Sequence, residues 1–351
     1  MSWEQTLDHY TKVIEEQLQA FLDDAVKDAQ EYHPFVGKVY RDIAEFVLRK
    51  GKRLASCSTL LVYKGYTGEV DKKILQVCVG IELYRHAILI HDDLVDMDEQ
   101  RRGRETLHIG FTNRYSPYNV RFGEGTAVFA GNIAYALAVR AIMGSGFSEE
   151  SINRVLCLTS EDYRAVNESQ VLDLLFEQKD VTADEWEVMG SKRAASLFKV
   201  TLLTGALLAN TPENDLTTLA EAAKHMGFSF DIQDDIIDTF AEKEEYGKSS
   251  CLDISKNKKP LHIVLALNSK NTKQAEGLKC LMGKQFLSYG EKDLARQIIR
   301  ETGGLDQAKQ ISRDHAEQAK AGINQTGLSD EVKQFFSSFI SYIEQSLDWY
   351  Q

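Results

Sequence analysis

The chain has 351 residues, of which 43% are hydrophobic and only four are proline, and its formal net charge is −12. This length can bury one large core or two smaller ones, and the scarcity of proline together with abundant leucine, alanine, glutamate and lysine favours long helices. The negative charge argues against general affinity for nucleic acid or anionic membrane surfaces, because both attract a basic excess.

The sequence gives no sign of export or membrane insertion. Its first residues, Met1-Ser2-Trp3, lack a basic start and an apolar run, so we expect no signal peptide. The longest apolar stretch, Ala127 to Met143, is interrupted by Asn132 and Arg140 and is short for a bilayer span, which favours a buried helix. The five cysteines show no metal-ligand spacing. We therefore expect a cytoplasmic protein without stable membrane insertion.

Helical periodicity runs along the chain, with one apolar stripe over 39–47 and another over 332–343. Convincing strand patterns are absent from the sequence. Turn-forming residues predict breaks near 50–51, 66–68, 102–103, 113–125, 144–146, 210–214, 242–260, 270–271 and 302–304. None of these resembles a long linker, so we expect an all-α fold in a single domain over residues 1–351.

Two acidic clusters have the same spacing. In Asp92-Asp93-Leu94-Val95-Asp96 the first and last acids are four residues apart and project from one helix face, where their charges repel unless a cation lies between them. The second cluster, 234–238, repeats this spacing in a similar apolar context. Either cluster alone could be a solvated acidic helix end. Their recurrence favours a cleft that binds Mg²⁺ and a diphosphate.

Basic residues accompany both clusters. Arg101 and Arg102 closely follow the first, where guanidinium groups could contact diphosphate oxygens beside metal ions. Lys192 enters an apolar helix, and Lys248 lies in the polar segment after the second cluster. A lone lysine is more often a surface side chain. The position of these lysines relative to the aspartates favours substrate binding.

The order and spacing of the motifs resemble those of the trans-isoprenyl diphosphate synthases. The matching segments are Gly51-Lys52-Arg53-Leu54, 91–96 with 101–103, Gln170-Val171-Leu172-Asp173-Leu174, 227–238 and Gly247-Lys248. The resemblance implies the all-α isoprenoid synthase fold, with long helices around a central apolar cavity, and usually a homodimer. It also implies three Mg²⁺ ions and head-to-tail condensation of isopentenyl diphosphate with an allylic diphosphate.

The resemblance assigns roles residue by residue. Asp92 and Asp96 would carry two Mg²⁺ ions with Asp93 in support, and Asp234 would bind the third, with Asp235 and Asp238 ordering its waters. The expected diphosphate contacts are Arg101, Lys192 and Lys248 for the allylic substrate and Lys52 and Arg102 for isopentenyl diphosphate, with Arg53 a further substrate-binding candidate. The catalytic candidates are Asp92, Asp93, Asp96, Lys192, Asp234 and Lys248.

Several positions depart from the family pattern. Ala55 stands where arginine is usual and Arg85 where an isopentenyl-binding histidine is usual, so we hypothesise that Arg85 supplies the missing guanidinium; nearby His86 is a further candidate. Arg193 replaces threonine and Asp231 replaces glutamine. An unpaired carboxylate in a closed site would be costly, so we predict an ion pair between them. Arg85, Arg193 and Asp231 join the substrate-binding candidates.

Product length can be argued from the helix that carries Asp92. Residues one and two turns earlier would line the path of the growing tail, at about 1.5 Å per residue. Ala87 carries no ring near the mouth, whereas Tyr84, deeper, could form a floor. This predicts a product of about four isoprene units, geranylgeranyl diphosphate, with five units as the alternative. Tyr84 could equally be an ordinary core aromatic.

Two other functions fit parts of the pattern. A class I terpene cyclase ionises the same substrates without isopentenyl diphosphate, but the second aspartate cluster and Lys52-Arg53 argue against it. A catalytically silent partner subunit would be expected to lose aspartates or diphosphate-binding lysines, which this chain retains.

Overall fold

The structure is a computed structural model that describes residues 2–115, 119–241 and 250–349. Its helices are α1 (Trp3–Tyr32), α2 (Pro34–Leu48), α3 (Leu54–Thr67), α4 (Lys72–Val95), α5 (Leu107–Tyr115), α6 (Val120–Met143), α7 (Glu149–Phe176), α8 (Ala183–Leu208), α9 (Glu213–Phe240), α10 (Leu252–Ser255), α11 (Leu261–Leu267), α12 (Thr272–Lys279), α13 (Tyr289–Glu301), α14 (Gly304–Gln325) and α15 (Asp330–Ser346), followed by a 3₁₀ turn, Leu347–Trp349. The strands described are β1 (Gln100–Arg101) and β2 (Arg104–Glu105), an antiparallel pair. The predicted all-α class is confirmed.

The helices gather in two compact units. The first comprises Met1–Cys157 and Thr201–Thr211, and the second comprises Leu158–Val200 and Pro212–Gln351. Helix α8 contributes residues to both. The expectation of a single domain over 1–351 stays a prediction.

The core of the first unit is built on α4. This helix packs against α6, α5 also packs against α6, and α1 packs against α2. A β-carbon at Gly80 would come within 2.6 Å of Ile142 Cγ1, so only glycine allows α4 and α6 to approach this closely. The close packing holds α4 in the interior and fixes the helix that ends in the first aspartate cluster.

Helix α6 differs from the buried helix expected over 127–143. Both α4 and α6 are long and apolar enough to cross a membrane by length and composition, but 72% of the most apolar window of α4 is buried and only 44% of that of α6. Val128, Phe129 and Met143 are exposed on α6. One face of α6 is therefore core, as predicted, and the other exposes these apolar side chains beside charged ones such as Glu124 and Arg140.

In the second unit α9 packs along α14 and contacts α15. Every member of the predicted carboxyl-terminal stripe lies on α15 and is buried: Val332, Phe335, Phe336, Phe339, Ile340 and Ile343. Trp186 packs against Phe228 with ring centroids 6.1 Å apart. These contacts support α9 over its length and so position the second aspartate cluster near its end.

Candidate active site

The first aspartate cluster lies at the carboxyl end of α4. The Asp96 N–H donates to the Asp92 carbonyl at 2.8 Å, and Met97 then takes a left-handed conformation with φ 53°, which ends the helix. Carboxylates at this end of a helix face the negative pole of its dipole. The cluster is therefore electrostatically unfavourable by itself and favours a bound cation.

Arg101 supplies one cation from the chain itself. Its Nε donates to Asp93 Oδ1, and its Nη2 donates to Asp92 Oδ2 at 3.2 Å and lies 3.9 Å from Asp98 Oδ2. Burial raises the pKa of Asp93 to about 7 although the adjacent guanidinium opposes the shift. Burial alone would lower the pKa of Arg101, but the Asp93 and Asp92 carboxylates raise it. Arg101 therefore contacts the predicted metal ligand Asp92 and the supporting Asp93.

A neighbouring arginine fixes the backbone around Arg101. Arg49, the residue after α2, donates from Nη1 to the Arg101 carbonyl at 3.2 Å and from Nη2 to the Glu105 carbonyl at 2.9 Å. It is itself held by Glu45, with Nη2 and Oε2 2.8 Å apart. Arg49 therefore ties the β1–β2 hairpin to the end of α2. Arg49 stands in no sequence motif, so the sequence did not predict this contact.

The candidates for the isopentenyl diphosphate site are placed differently from one another. Lys52 is exposed, with its Nζ 5.1 Å from the centroid of the Trp3 ring. Arg102 is exposed in the hairpin turn, and Arg85 is partly buried on α4. The hypothesis that Arg85 compensates for the buried Ala55 stays a prediction.

Arg53 is placed differently from the adjacent, exposed Lys52. Its guanidinium is buried and donates to Glu15 Oε1 at 3.0 Å, Glu82 Oε2 at 3.2 Å, and the carbonyl oxygens of Val47 and Arg49 at 2.7 and 3.3 Å. These contacts hold its donors in the protein interior, and the expected role of Arg53 in substrate binding stays a prediction. Arg53 therefore supports the loop before α3, because a charge in this interior needs partners.

The second cluster combines an exposed and a buried carboxylate at the end of α9. Asp234 is exposed, whereas Asp238 is buried and accepts from the Asp253 N–H at 3.2 Å through Oδ2. The buried Arg296 donates from Nε to the Thr239 carbonyl at 2.8 Å and from Nη2 to Ser250 Oγ at 3.1 Å. Arg296 thus fastens the chain on both sides of residues 242–249.

The predicted ion pair between Arg193 and Asp231 is present. Arg193 donates to Asp231 Oδ2 from Nε at 3.0 Å and from Nη2 at 2.8 Å, and also from Nη2 to Asp235 Oδ2 at 3.1 Å. Its Nη1 lies 3.6 Å from Asp173 Oδ1, and Lys258 Nζ lies 3.6 Å from Asp173 Oδ2. Burial raises the pKa of Asp235 well above its usual range. One arginine therefore joins three carboxylates from α7 and α9.

The two lysines expected to hold the allylic diphosphate have different outcomes. Lys192 is exposed on α8, and its Nζ pairs with Glu168 on α7. Substrate binding through Lys192 would have to exchange this carboxylate for a phosphate. Lys248 lies outside the described residues.

The proposed tail floor contains a second aromatic ring. Tyr84 and Ala87 are both buried on α4. The ring of Tyr84 lies 6.2 Å, centroid to centroid, from that of Tyr135 on α6. The sequence analysis missed Tyr135 because it lies within an apolar run without a motif.

The residues present fit a magnesium site. Asp93 Oδ2 is buried without a hydrogen-bond partner, and a buried carboxylate oxygen is costly unless something compensates it. Asp92 and Asp96 lie one helical turn apart at the end of α4, and carboxylate oxygens are the ligands that Mg²⁺ prefers. Asp234 and Asp238 repeat this one-turn spacing on α9. No group of three or more potential ligands converges within the described ranges, so bound water and substrate phosphates would complete the coordination.

Some residues missed by the sequence analysis did leave a signal. Glu82 lies within the apolar run of α4 and is buried. A charged residue in such a run implies a buried partner, which here is Arg53. Asp173 lies in the motif over 170–174, but its contact with Arg193 depends on tertiary packing. Arg49, Glu168 and Arg296 stand in no motif, and their contacts appear only in the folded chain.

Comparison with known proteins places the chain in a family. The family model described as polyprenyl synthetase matches residues 37–299. The chain is 28% identical over 287 residues to a short chain isoprenyl diphosphate synthase of Methanocaldococcus jannaschii, covering 82% of this chain and 80% of that protein. It is 30% identical over 274 residues to the farnesyl diphosphate synthase of Bacillus subtilis, covering 75% and 84%.

The fold agrees with this assignment. A crystal structure of geranylgeranyl pyrophosphate synthase from Corynebacterium glutamicum superposes with a TM-score of 0.90 at 22% identity, covering 97% of this chain and 99% of that one. This likeness shows the isoprenoid synthase fold. With the family match over more than half of the sequence, it follows that the chain belongs to the polyprenyl synthetase family and is a prenyl-transferring enzyme.

Proposed function

We propose that this enzyme condenses isopentenyl diphosphate with an allylic diphosphate, head to tail and in the trans configuration, and that its product is geranylgeranyl diphosphate. The observation that carries the proposal is the acidic end of α4, where Asp92 and Asp93 surround the Arg101 guanidinium. Carboxylates for a divalent metal and a guanidinium for a phosphate lie there within one site. The family relationship supplies the reaction class.

The chain's own residues act in binding and orientation. Arg101 would exchange a carboxylate for an oxygen of the allylic diphosphate as substrate arrives, and Lys192 would leave Glu168 in the same way. Mg²⁺ ions, when bound by Asp92, Asp96 and Asp234, would neutralise the diphosphate and stabilise the charge that develops as it departs. Lys52 and Arg102 would hold isopentenyl diphosphate, and Arg193, neutralised by Asp231, would add no net positive charge beside the allylic cation.

Relatives support both the metal and the substrate class. The synthase from Corynebacterium glutamicum was crystallised as a complex with isoprenyl diphosphate and magnesium. A requirement for a divalent metal is therefore expected here, and three ions remain part of the proposal. Terpene cyclase chemistry is not favoured, because the matched family and the named relatives are diphosphate synthases.

The product assignment rests on Tyr84 and Tyr135. The buried ring of Tyr84 on α4 and the partly buried ring of Tyr135 on α6 lie together about one turn deeper than Ala87. Their bulk favours a product of about four isoprene units, taking 1.5 Å per residue of helix as the ruler. Relatives of similar identity are named farnesyl, geranylgeranyl and geranylfarnesyl diphosphate synthases, so their products range from one isoprene unit shorter to one unit longer than the product proposed here.

One incubation tests reaction and product together. Purified protein with Mg²⁺ is supplied with isopentenyl diphosphate and with dimethylallyl, geranyl or farnesyl diphosphate in turn, and the dephosphorylated products are separated by chromatography. We expect geranylgeraniol from each starter and no product in the presence of a chelator. Products formed equally well without isopentenyl diphosphate would refute the proposal and support a cyclase.

We also propose a cytoplasmic homodimer that uses the exposed face of α6. Phe129 is 67% exposed and Met143 59% exposed on that helix, an unusual concentration of apolar surface for a free face. Light scattering after size-exclusion chromatography should give twice the mass of the 39.6 kDa chain. Phe129→Glu should convert the dimer to a monomer, whereas Arg154→Glu on α7 should not. A monomeric wild-type protein would refute this part.

A further inference from the structure

Arg102 occupies a conformation that arginine rarely adopts. It is the first residue of the two-residue turn between β1 and β2, with φ 55°, and Gly103 follows with φ 74°. Such turns favour asparagine, aspartate or glycine, because a side chain in the left-handed region costs about 1–2 kcal/mol. A residue held in this state commonly serves a functional site.

The Arg102 guanidinium is held through one of its three nitrogens, Nη1. Its Nη1 donates one hydrogen to the Arg49 carbonyl at 3.1 Å and lies 3.4 Å from His86 Nε2. These two contacts use both hydrogens of Nη1. Within the described part of the chain, its Nε and Nη2 donate no hydrogen bond. Arg102 is exposed. Two neighbouring donors therefore remain for an anion.

Both neighbours of His86 determine its protonation state. Its Nδ1 lies 2.7 Å from the Glu82 carbonyl, which can only accept, so Nδ1 carries the hydrogen. The guanidinium beside Nε2 can only donate, so Nε2 must accept. Burial lowers the pKa of His86 to about 4, in agreement with a neutral ring. His86 is therefore the neutral Nδ1–H tautomer, with its lone pair toward Arg102.

His86 is in turn rigidly supported. Its ring is buried on α4 and packs edge-on against Phe46, with centroids 6.0 Å apart. Glu82, one turn earlier, accepts from Arg53 at 3.2 Å and from Ser56 Oγ at 2.7 Å. The acceptor at Nε2 thus has a fixed place, as is needed to hold a flexible arginine in one orientation.

We propose that His86 is a positioning residue that orients Arg102 to bind the diphosphate of isopentenyl diphosphate. The inference deepens the proposed function and rests on it for the identity of the substrate. His86 does not contact the diphosphate in this arrangement; it holds Nη1 so that Nε and Nη2 present a fork to the phosphate oxygens. This chain would then build its isopentenyl site without the arginine that is absent at Ala55.

Two isosteric substitutions separate positioning from packing. An asparagine amide reaches about as far as Nδ1, so His86→Asn keeps the bond to Glu82 and loses the acceptor for Arg102. A glutamine amide reaches about as far as Nε2, so His86→Gln keeps that acceptor. We expect about a tenfold higher KM for isopentenyl diphosphate in the Asn variant, with kcat and the KM for the allylic substrate unchanged. The Gln variant should remain within about twofold of wild type.

Gly51→Ala perturbs the same arginine from the other side. A β-carbon at residue 51 would lie 3.0 Å from Arg102 Cζ, so the guanidinium must shift while His86 is untouched. Thermal stability should change little, because the displaced group is the end of a flexible side chain. The KM for isopentenyl diphosphate should rise about as much as in the His86→Asn variant.

The outcomes distinguish this inference from the proposed function. Equal KM values for isopentenyl diphosphate in the Asn and Gln variants, or equal changes in both substrates' KM values, would overturn it. If the wild type consumes no isopentenyl diphosphate, the proposed function fails, and calorimetric titration with inorganic diphosphate in EDTA decides the inference. Without metal the aspartate clusters repel inorganic diphosphate, so binding reports on the basic residues. Weaker binding by the His86→Asn variant, with the His86→Gln variant equal to wild type, supports the positioning role. Identical binding by wild type and both variants refutes it.

Discussion

The ion pair between Arg193 and Asp231 can be tested by restoring the neutral residues that the resemblance leads us to expect there. The variants are Arg193→Thr, Asp231→Gln and the double substitution. In the wild type Arg193 contacts Asp231 twice, at 2.8 and 3.0 Å, and Asp235 once, at 3.1 Å. Removing the arginine leaves these carboxylates and Asp173 close together, with Lys258 Nζ 3.6 Å from Asp173 Oδ2.

The magnitude follows from burial. The side chains of Arg193, Asp231 and Asp235 are 19%, 23% and 17% exposed. Removing one partner of a buried pair costs roughly 3–5 kcal/mol, and the residual exposure places Arg193→Thr near about 3 kcal/mol. The double variant also removes one repelling carboxylate, so we expect it to recover about 2 kcal/mol of that loss.

Urea unfolding of the four proteins gives the coupling energy, and steady-state turnover of each gives kcat. We expect the double variant to be more stable and more active than Arg193→Thr alone. The surface substitution Lys279→Thr, which breaks a pair 60% and 79% exposed, should cost less than about 0.5 kcal/mol and serves as the control. Stability changes that add within about 0.5 kcal/mol would refute the reasoning.

Three further predictions follow from the first unit. Because the pKa of His86 is lowered to about 4 from its usual 6.5, the unfolded chain binds the extra proton first, so stability should fall by up to about 3 kcal/mol as the pH drops through this window; His86→Gln should flatten that part of the urea midpoint profile. Tyr84→Ala should lengthen the product by about one isoprene unit, and Tyr135→Ala should do the same, whereas unchanged chromatograms would remove the floor argument. Arg85→Ala should raise the KM for isopentenyl diphosphate, and an unchanged value would refute compensation for Ala55.

Sequence periodicity and motif spacing were sufficient to predict the fold class and the two aspartate clusters. The apolar stripe on α15 and the helix carrying Asp92 follow directly from a 3.6-residue period. The break expected over 113–125 was too long, because α6 already begins at Val120. Gly123 and Gly125 lie inside that helix, and a β-carbon at Gly123 would come within 2.4 Å of the His108 carbonyl. Gly123 is required by close helix packing, which hydrophobic periodicity in the sequence does not predict.

Side-chain orientation was less predictable than position. Lys52 and Arg53 are adjacent in a motif, yet one is exposed and the other is buried among Glu15 and Glu82. The left-handed backbone at Arg53 turns its side chain inward, and no sequence pattern predicts that conformation for arginine. The acceptor that His86 offers to Arg102 likewise depends on a tautomer set by tertiary contacts.

The contact between Arg101 and the first aspartate cluster has a consequence for folding. Carboxylates crowded at a helix end would normally oppose folding until a metal arrived. Here the chain brings its own positive charge to Asp92 and Asp93. The helix end can therefore form during synthesis without magnesium, and a metal ion that binds there later would replace one counter-ion with another.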